Sequence, residues 1–304
     1  MKVLVVGLGS IARKHIDALR ILEPSVSLFA LRSSRTSLSW EGIQDLYDWE
    51  EVKRERFDFA ILSNPTSEHK KSLLLLSELQ IPLFIEKPLF HRLDVGEAVT
   101  CVTALHQLTY VACNLRFLGA LGYVKDYLKA YHPRVNEVNV YCGSYLPDWR
   151  KGIDYKQNYS AIAELGGGVH VDLIHEVDYV YWLFGNPWQT HSVFKNNSSL
   201  DIGSYDYANY CLEYPDFCIG IVLNYYRKDA KRTLEVVCQE GTLSVDLLNN
   251  CVKMDGVRIY QSEKRIIDTY LDQMKYFVNC LQENKQSFNT ISDAYKVLQI
   301  CLQS

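Results

Sequence analysis

The chain is expected to be an α/β protein, with a parallel sheet covered by helices on both faces in its first third and long antiparallel strands beyond. Three observations predict this. Apolar strand signals alternate with amphipathic helix-length stretches up to about residue 115. From about residue 135 the texture changes to alternating apolar and polar segments divided by turn signals. And 304 residues are enough for two cores, with 48% hydrophobic and 22% charged residues excluding a disordered chain.

The elements follow in order. Lys2 to Val6 is a short apolar strand, Ile11 to Leu22 an amphipathic helix and Val26 to Leu31 a second strand. Phe57 to Ser63 and Pro82 to Ile85 are further strands, with helical stretches at Ser67 to Leu79 and Asp94 to Gln107, and Tyr110 to Asn114 closes the domain. The later strands are Glu137 to Tyr145, Tyr205 to Glu213, Phe217 to Tyr226, Arg232 to Gln239 and Thr242 to Asp246, followed by helices at Tyr270 to Gln282 and Ala294 to Leu302. No repeat, low-complexity segment or flexible linker intervenes, so two domains are expected, 1–118 and 119–304.

Composition also narrows the partners. Net charge is −4, and the basic clusters Lys70-Lys71 and Lys228 to Arg232 are short, so they read as solvated surface and no nucleic-acid partner is expected. The first residues are already strand-like and no apolar run approaches a membrane span, which predicts a cytoplasmic protein with no membrane partner. Nine cysteines, scattered and never spaced C-x-x-C, suit buried reduced thiols better than disulfides or zinc.

The first chemical motif is Gly7-Leu8-Gly9-Ser10-Ile11-Ala12, a G-x-G-x-x-A placed between a strand and a helix. Gly7 permits the tight turn, Gly9 lets backbone approach a pyrophosphate, and Ala12 lets helix and strand pack closely, while the helix N-terminus stabilises the phosphate charge. Ser10 and Ile11 fall at that N-terminus. The competing reading is a plain tight turn. An NAD enzyme commonly places an acid ~20 residues on, for the ribose hydroxyls. Here the second strand ends Leu31-Arg32-Ser33-Ser34-Arg35. Two guanidinium groups and two hydroxyls suit a 2′-phosphate, so Arg32, Ser33 and Arg35 favour NADP(H), with NAD(H) as the alternative and loop solvation by the arginines as the bland reading.

The second motif is Ile85-Glu86-Lys87-Pro88, at the carboxyl end of an expected parallel strand, where ligands of such sheets bind. With it, the chain resembles the glucose–fructose oxidoreductase/inositol dehydrogenase (Gfo/Idh/MocA) family over essentially its whole length. The resemblance rests on Gly7 to Ala12 with His15, Asn64-Pro65-Thr66 with His69, Glu86-Lys87-Pro88, Asn114-Leu115-Arg116-Phe117, and Gly166-Gly167-Gly168 leading to Asp172. It implies an N-terminal Rossmann domain joined to an α/β domain with an open, mostly antiparallel sheet that often forms an oligomer interface, hence a homo-oligomer, dimer or tetramer. It also implies hydride transfer between a nicotinamide and a carbinol or carbonyl carbon, commonly of a sugar. Asn64, Thr66, His69, Glu86, Lys87 and Arg116 join the cofactor contacts, and Lys87 is the residue implied to touch the reacting oxygen, with Asp172 and the nearby histidine as partners.

Elementary chemistry agrees about Lys87. Removing hydride from an alcohol carbon requires loss of the hydroxyl proton, and the reverse step requires a donor. A free lysine titrates near ~10.4, but burial and an oxidised nicotinamide both disfavour its ammonium. A surface lysine at a strand end is the competing reading.

Residues 165–178, LGGGVHVDLIHEVD, hold the remaining candidates. Leu173, Val177, Val180 and Phe184 form one apolar stripe of a helix, and Asp172, His175, Glu176 and Tyr179 another face. On a helix Asp172 and His175 are neighbours, so aspartate can hold the imidazole while histidine, with a free pKa near ~6.5, exchanges protons. No metal is expected, because H-E-x-x-H is absent and His170 and His175 diverge on a helix. A structural helix with an acidic first turn is the bland alternative. His170 reads as packing, and the glycines as room for a ligand. Some family members place histidine four residues after aspartate and others carry D-x-x-H-E-x-D as here, so Lys87 and His175 both stand as proton acceptor.

Tyr145 to Ser160 contains Trp149, Arg150, Lys151, Tyr155 and Tyr159 ahead of that segment. Such a loop can stack on a sugar and pair with an anion, with Arg150 the foremost anion contact, Tyr155 a further substrate residue, and aromatic packing the competing reading. It resembles family members of bacterial surface-sugar pathways, pointing to a nucleotide-linked or acidic sugar. From another class, a nicotinamide-binding sensor on the same fold would be expected to have lost one of Lys87, Asp172 and His175.

Overall fold

The computed structural model describes residues 1–36, 38–150 and 152–303. They fall into two compact units. The first comprises Met1–Cys113 with Tyr270–Lys296, the second Asn114–Thr269 with the chain from Val297 onward. The expected division at 118/119 therefore differs at two places: residues 114–118 belong with the second unit, and the segment 270–296 returns to the first.

In the first unit β1 (Lys2–Val6) enters α1 (Ser10–Leu22), then β2 (Ser27–Leu31), β3 (Ile43–Leu46), α2 (Trp49–Lys53), β4 (Phe59–Leu62), α3 (His69–Ser77), β5 (Leu83–Ile85), α4 (Gly96–Ala104) and β6 (Thr109–Val111). The six strands order β3-β2-β1-β4-β5-β6, and all pair in parallel. Strands such as Phe59–Leu62 are apolar throughout because a parallel sheet is buried on both faces. The order reverses between β1 and β4, so their carboxyl ends open the crevice where such sheets bind ligands. The sequence reading missed β3 and α2; the Tyr47–Asp48 link between them and Trp49 of α2 line the cleft that opens there.

In the second unit α5 (Gly119–Tyr131) precedes β7 (Val135–Tyr145). Then come α6 (Val169–Asp172), α7 (Ile174–Phe184), β8 (Gln189–Lys195), β9 (Tyr207–Glu213), β10 (Cys218–Asn224), β11 (Tyr226–Cys238), β12 (Gly241–Asp246), β13 (Cys251–Met254) and β14 (Val257–Gln261). The eight strands order β14-β13-β12-β11-β7-β10-β9-β8, antiparallel except for the β7–β10 pair. This is the mostly antiparallel sheet the sequence predicts. Its strands alternate: Ala208, Tyr210 and Leu212 are buried, whereas Cys211 on the other face is exposed.

Two helices end the chain, α8 (Thr269–Gln282) and α9 (Ile291–Leu302). In the first unit Phe277 packs edge-on to Phe59 and Phe84, with ring centroids 5.0 and 5.4 Å apart. That aromatic contact returns residues 270–296 to the N-terminal core. In the second, the Tyr210 hydroxyl donates to the Cys301 carbonyl at 3.0 Å.

Candidate active site

In the first unit the candidate residues begin at the β1–α1 turn. Gly7 has φ +91°, and a Cβ there would lie 2.5 Å from Asn64 Cα, so only glycine lets the turn pass beside β4. Ser63 secures the approach by donating its hydroxyl to the Gly7 carbonyl at 2.8 Å. A Cβ at Gly9 would meet no atom within 4 Å. No side chain caps α1, and no acid occupies its first turn, so the N–H groups at Ser10 and Ile11 keep their affinity for an anion. Ala12 is wholly buried against the strand.

A cleft of about 740 Å³ opens from this turn. Gly7, Gly9, Arg32, Ser33 and Asn64 line it, together with Trp49 and Lys71, which sequence reasoning missed. Asn64 Oδ1 and Trp49 Nε1 are buried with no hydrogen-bond partner among the described residues. Polar atoms in that state fit a ligand that supplies their partners. The open Gly9, uncapped helix and polar wall together fit a dinucleotide.

Arg32 differs from expectation. Its guanidinium donates to Asp45 Oδ1 at 2.8 Å and to the Leu38 carbonyl at 3.0 Å, so its charge is already partly answered by β3. Arg35 lies 4.5 Å from the Tyr47 ring centroid, and Ser33 stays in the cleft wall.

Beyond β4, Asn64 and Thr66 start the turn into α3. Asn64 Nδ2 donates to the Ser72 hydroxyl at 2.8 Å, and its carbonyl lies 3.1 Å from His69 Nε2. His69 Nδ1 lies 2.9 Å from the Leu89 carbonyl. The ring thus bridges two loops, and burial lowers its pKa below the usual imidazole value. Glu86 is also turned inward, onto His15 and the Lys87 backbone N–H. Lys87 leaves β5 half-buried, before a cis bond to Pro88.

In the second unit the segment after the glycines is not one helix. Leu173, at φ −97° and ψ 28°, separates α6 from α7. Asp172 therefore ends one helix while His175 lies in the first turn of the next. The Asp172 carboxylate accepts hydroxyls from Tyr159 at 2.8 Å and from Tyr225, whose T-shaped partner is Trp149 at 5.2 Å. These tyrosines, 13 and 53 positions from Asp172, have no sequence signal as a pair. Arg150 is exposed with Cζ 5.7 Å from the Tyr159 ring centroid. Tyr155 spends its hydroxyl on the Leu200 carbonyl at 3.0 Å. Lys151 lies outside the described residues.

Glu176 leaves this group. It is wholly buried, and Arg232 of β11 donates to both its oxygens. The carboxylate needs that partner, because a lone buried carboxylate is costly. Arg116, expected at the cofactor, is committed to Asp178: Nε to Oδ2 is 2.9 Å, Nη2 to Oδ1 2.6 Å, and the side chain is 1% exposed. It ties residues 114–117 to α7. The glycines also differ from expectation. A Cβ on Gly167 would fall 2.0 Å from the Tyr159 carbonyl, so the space is taken by the chain's own backbone and not kept for a ligand. His170 packs as expected, 5.1 Å from Phe194, and burial lowers its pKa to about 4.

The β1–α1 turn and the cleft fit a dinucleotide-binding α/β protein. The chain belongs to the Gfo/Idh/MocA family: residues 1–112 match its oxidoreductase model with the NAD-binding Rossmann fold, and 133–244 match its C-terminal domain. No curated protein sequence matches the chain. Among solved structures, it is similar to myo-inositol 2-dehydrogenase from Lactobacillus plantarum, at 21% identity and a TM-score of 0.80, over 99% of this chain and 95% of that one. It is also similar to UDP-N-acetylglucosamine 3-dehydrogenase from Acidithiobacillus ferrooxidans (16% identity, TM-score 0.79, 100% and 96% covered). A third is levoglucosan dehydrogenase in complex with NADH and levoglucosan (14%, 0.83, 99% and 95%). No helix among the described residues is long and apolar enough to cross a membrane.

Proposed function

We propose that this oxidoreductase transfers hydride between NADP(H) and a carbinol or carbonyl carbon of a nucleotide-linked or acidic sugar, in surface-polysaccharide biosynthesis. The observation that carries the substrate class is the Arg150–Tyr159–Asp172 series, a cation and an aromatic face beside a carboxylate. An aromatic face stacks on a sugar ring, and a guanidinium pairs with phosphate or carboxylate. The similar structures include a dehydrogenase of a UDP-sugar.

A bound nicotinamide supplies the hydride acceptor or donor. Lys87 is the group that takes the hydroxyl proton, or returns it in reduction, with His175 as the second titratable group. Asp172, pinned by two phenols, orients and does not itself carry the proton. For the cofactor, no acid ends β2, and Ser33 and Arg32 line the cleft, which supports NADP(H) over NAD(H). The Arg32–Asp45 pair makes that preference modest. The exposed sheet face with Val193 and Cys211 supports a homo-oligomer through the second unit, and the free cysteines fit the reducing cytoplasm.

Mass spectrometry of ligands that copurify, followed by a panel of nucleotide-linked, acidic and neutral sugars with NADP⁺ and NADPH, tests the reading by nicotinamide absorbance. Turnover confined to anionic sugars is expected. Silence across the panel, or turnover of neutral sugars alone, overturns it.

A further inference from the structure

Where the Lys87 side chain sits depends on how the chain is held as it leaves β5. Glu86, the residue before it, is 6% exposed and at the end of the apolar strand Leu83–Ile85. A carboxylate there is costly unless paired, and an apolar residue would satisfy the packing alone. Glu86 is instead fully engaged. One oxygen bonds His15 Nε2, and the other accepts the Lys87 backbone N–H at 3.1 Å.

His15 is equally specific. It is wholly buried in α1, edge-on to Phe84 with centroids 4.7 Å apart, and its Nδ1 has no hydrogen-bond partner among the described residues. Leaving one buried ring nitrogen unpaired is unfavourable, so packing alone does not account for an imidazole at this position. Among the described residues its side chain makes a polar contact with Glu86. On the far side of Lys87, His69 holds the Leu89 carbonyl, so the chain is gripped before and after the lysine.

We infer that Glu86, held by His15, is a positioning residue for Lys87, fixing the backbone from which the lysine projects. The inference rests on Lys87 being the proton-handling group proposed above. It also ties two functions together: α1, whose N-terminus would receive the cofactor's pyrophosphate, is the helix that anchors the Lys87 step.

The test uses the whole chain with Glu86→Leu, Glu86→Gln, His15→Phe and His15→Gln. Glu86→Leu removes both contacts, whereas Glu86→Gln keeps an acceptor for the Lys87 N–H. Glu86→Leu is expected to lower kcat by ~10- to 100-fold, the scale of a misplacement near 1 Å, with the cofactor Kd changed by less than about twofold. Glu86→Gln recovers most of the rate. If Glu86→Leu does not fold, the histidine pair decides: His15→Gln, which retains a donor, should exceed His15→Phe by ~10-fold in kcat at equal KM. Equal rates in each pair overturn the inference, as does a loss of kcat and cofactor affinity in parallel.

A second readout needs no substrate. Reductive ¹³C-methylation makes the Lys87 resonance visible by NMR, identified by its disappearance in Lys87→Arg. It should move or broaden in His15→Phe relative to the wild type, and an unchanged resonance overturns the inference. A wild-type protein silent on every sugar sinks the sugar reading, while this measurement still judges Glu86.

Discussion

The buried Tyr225 hydroxyl donates to Asp172 from a strand end 53 positions away, while Tyr159 donates to the other carboxylate oxygen. Tyr225→Phe leaves that oxygen without its phenol at a site where Asp172 is only 6% exposed. The expected cost is ~1–3 kcal/mol in thermal or urea unfolding. If Asp172 orients the proton-transfer group, kcat falls further than KM rises. A variant with wild-type stability and kcat would show that the contact is dispensable.

Lys87 carries the heaviest chemical burden of the proposal, and it lies apart from the pyrophosphate turn in sequence and strand. Lys87→Met should therefore reduce turnover by at least ~10³-fold, within the usual span of general acid–base catalysis. Cofactor affinity, read from quenching of protein fluorescence, should stay within about threefold. Retained turnover would take Lys87 out of the mechanism.

Arg150 is exposed, so its removal should leave the fold intact. Arg150→Ala is expected to raise KM for a charged sugar by ~10-fold, about the worth of one charge-assisted contact, and for a neutral analogue by less than about twofold. Steady-state kinetics on matched substrates reads the difference. Equal rises would assign Arg150 to packing over Tyr159.

The Arg32–Asp45 pair predicts opposite effects of two substitutions. Arg32→Ala should weaken NADP(H) binding and spare NAD(H). Asp45→Asn releases the guanidinium and should raise the NADP(H)-to-NAD(H) affinity ratio by ~5- to 10-fold. Titration calorimetry with both cofactors provides the comparison, and unchanged ratios in both variants would remove the 2′-phosphate from the account.

His170 makes stability depend on pH. Burial lowers its folded pKa to about 4 from an ordinary value of 6.5, with Asp172 opposing the shift. Between those values the unfolded chain binds a proton that the folded chain refuses. Its contribution is thus unaffected above pH 6.5 and turns increasingly unfavourable as pH falls toward 4, reaching ~3 kcal/mol. Replacing the ring by His170→Phe should flatten the fall of Tm across that window. An identical slope in both proteins would place the acid sensitivity elsewhere.

Local chemistry determined what could be read without a structure. The β1 strand, the glycine turn and α1 are legible because strand period, glycine spacing and helix period all lie within 22 residues. The same is true of the strand before Glu86-Lys87-Pro88. Some misses had a signal: Asp255-Gly256 between β13 and β14 is a two-residue hairpin turn, with φ of 48° and 84°, flanked by apolar residues. Others had none. β3, four residues of IQDL, is too short and polar to stand out.

Tertiary structure alone decided the partners. Periodicity placed Asp172, His175, Glu176 and Tyr179 together, but the break at Leu173 and the arrival of Arg232 beneath α7 divide them, sending Glu176 into the sheet and Asp172 to two tyrosines. Arg32 reads as a cation suited to a 2′-phosphate and Arg116 is set at the cofactor by the family resemblance, yet each has a carboxylate partner, at Asp45 and Asp178. Sequence distributes residue types, and local rules tell which face each occupies. Which charge a buried group meets depends on segments tens of residues away, because desolvation requires every such group to find a partner in the folded chain.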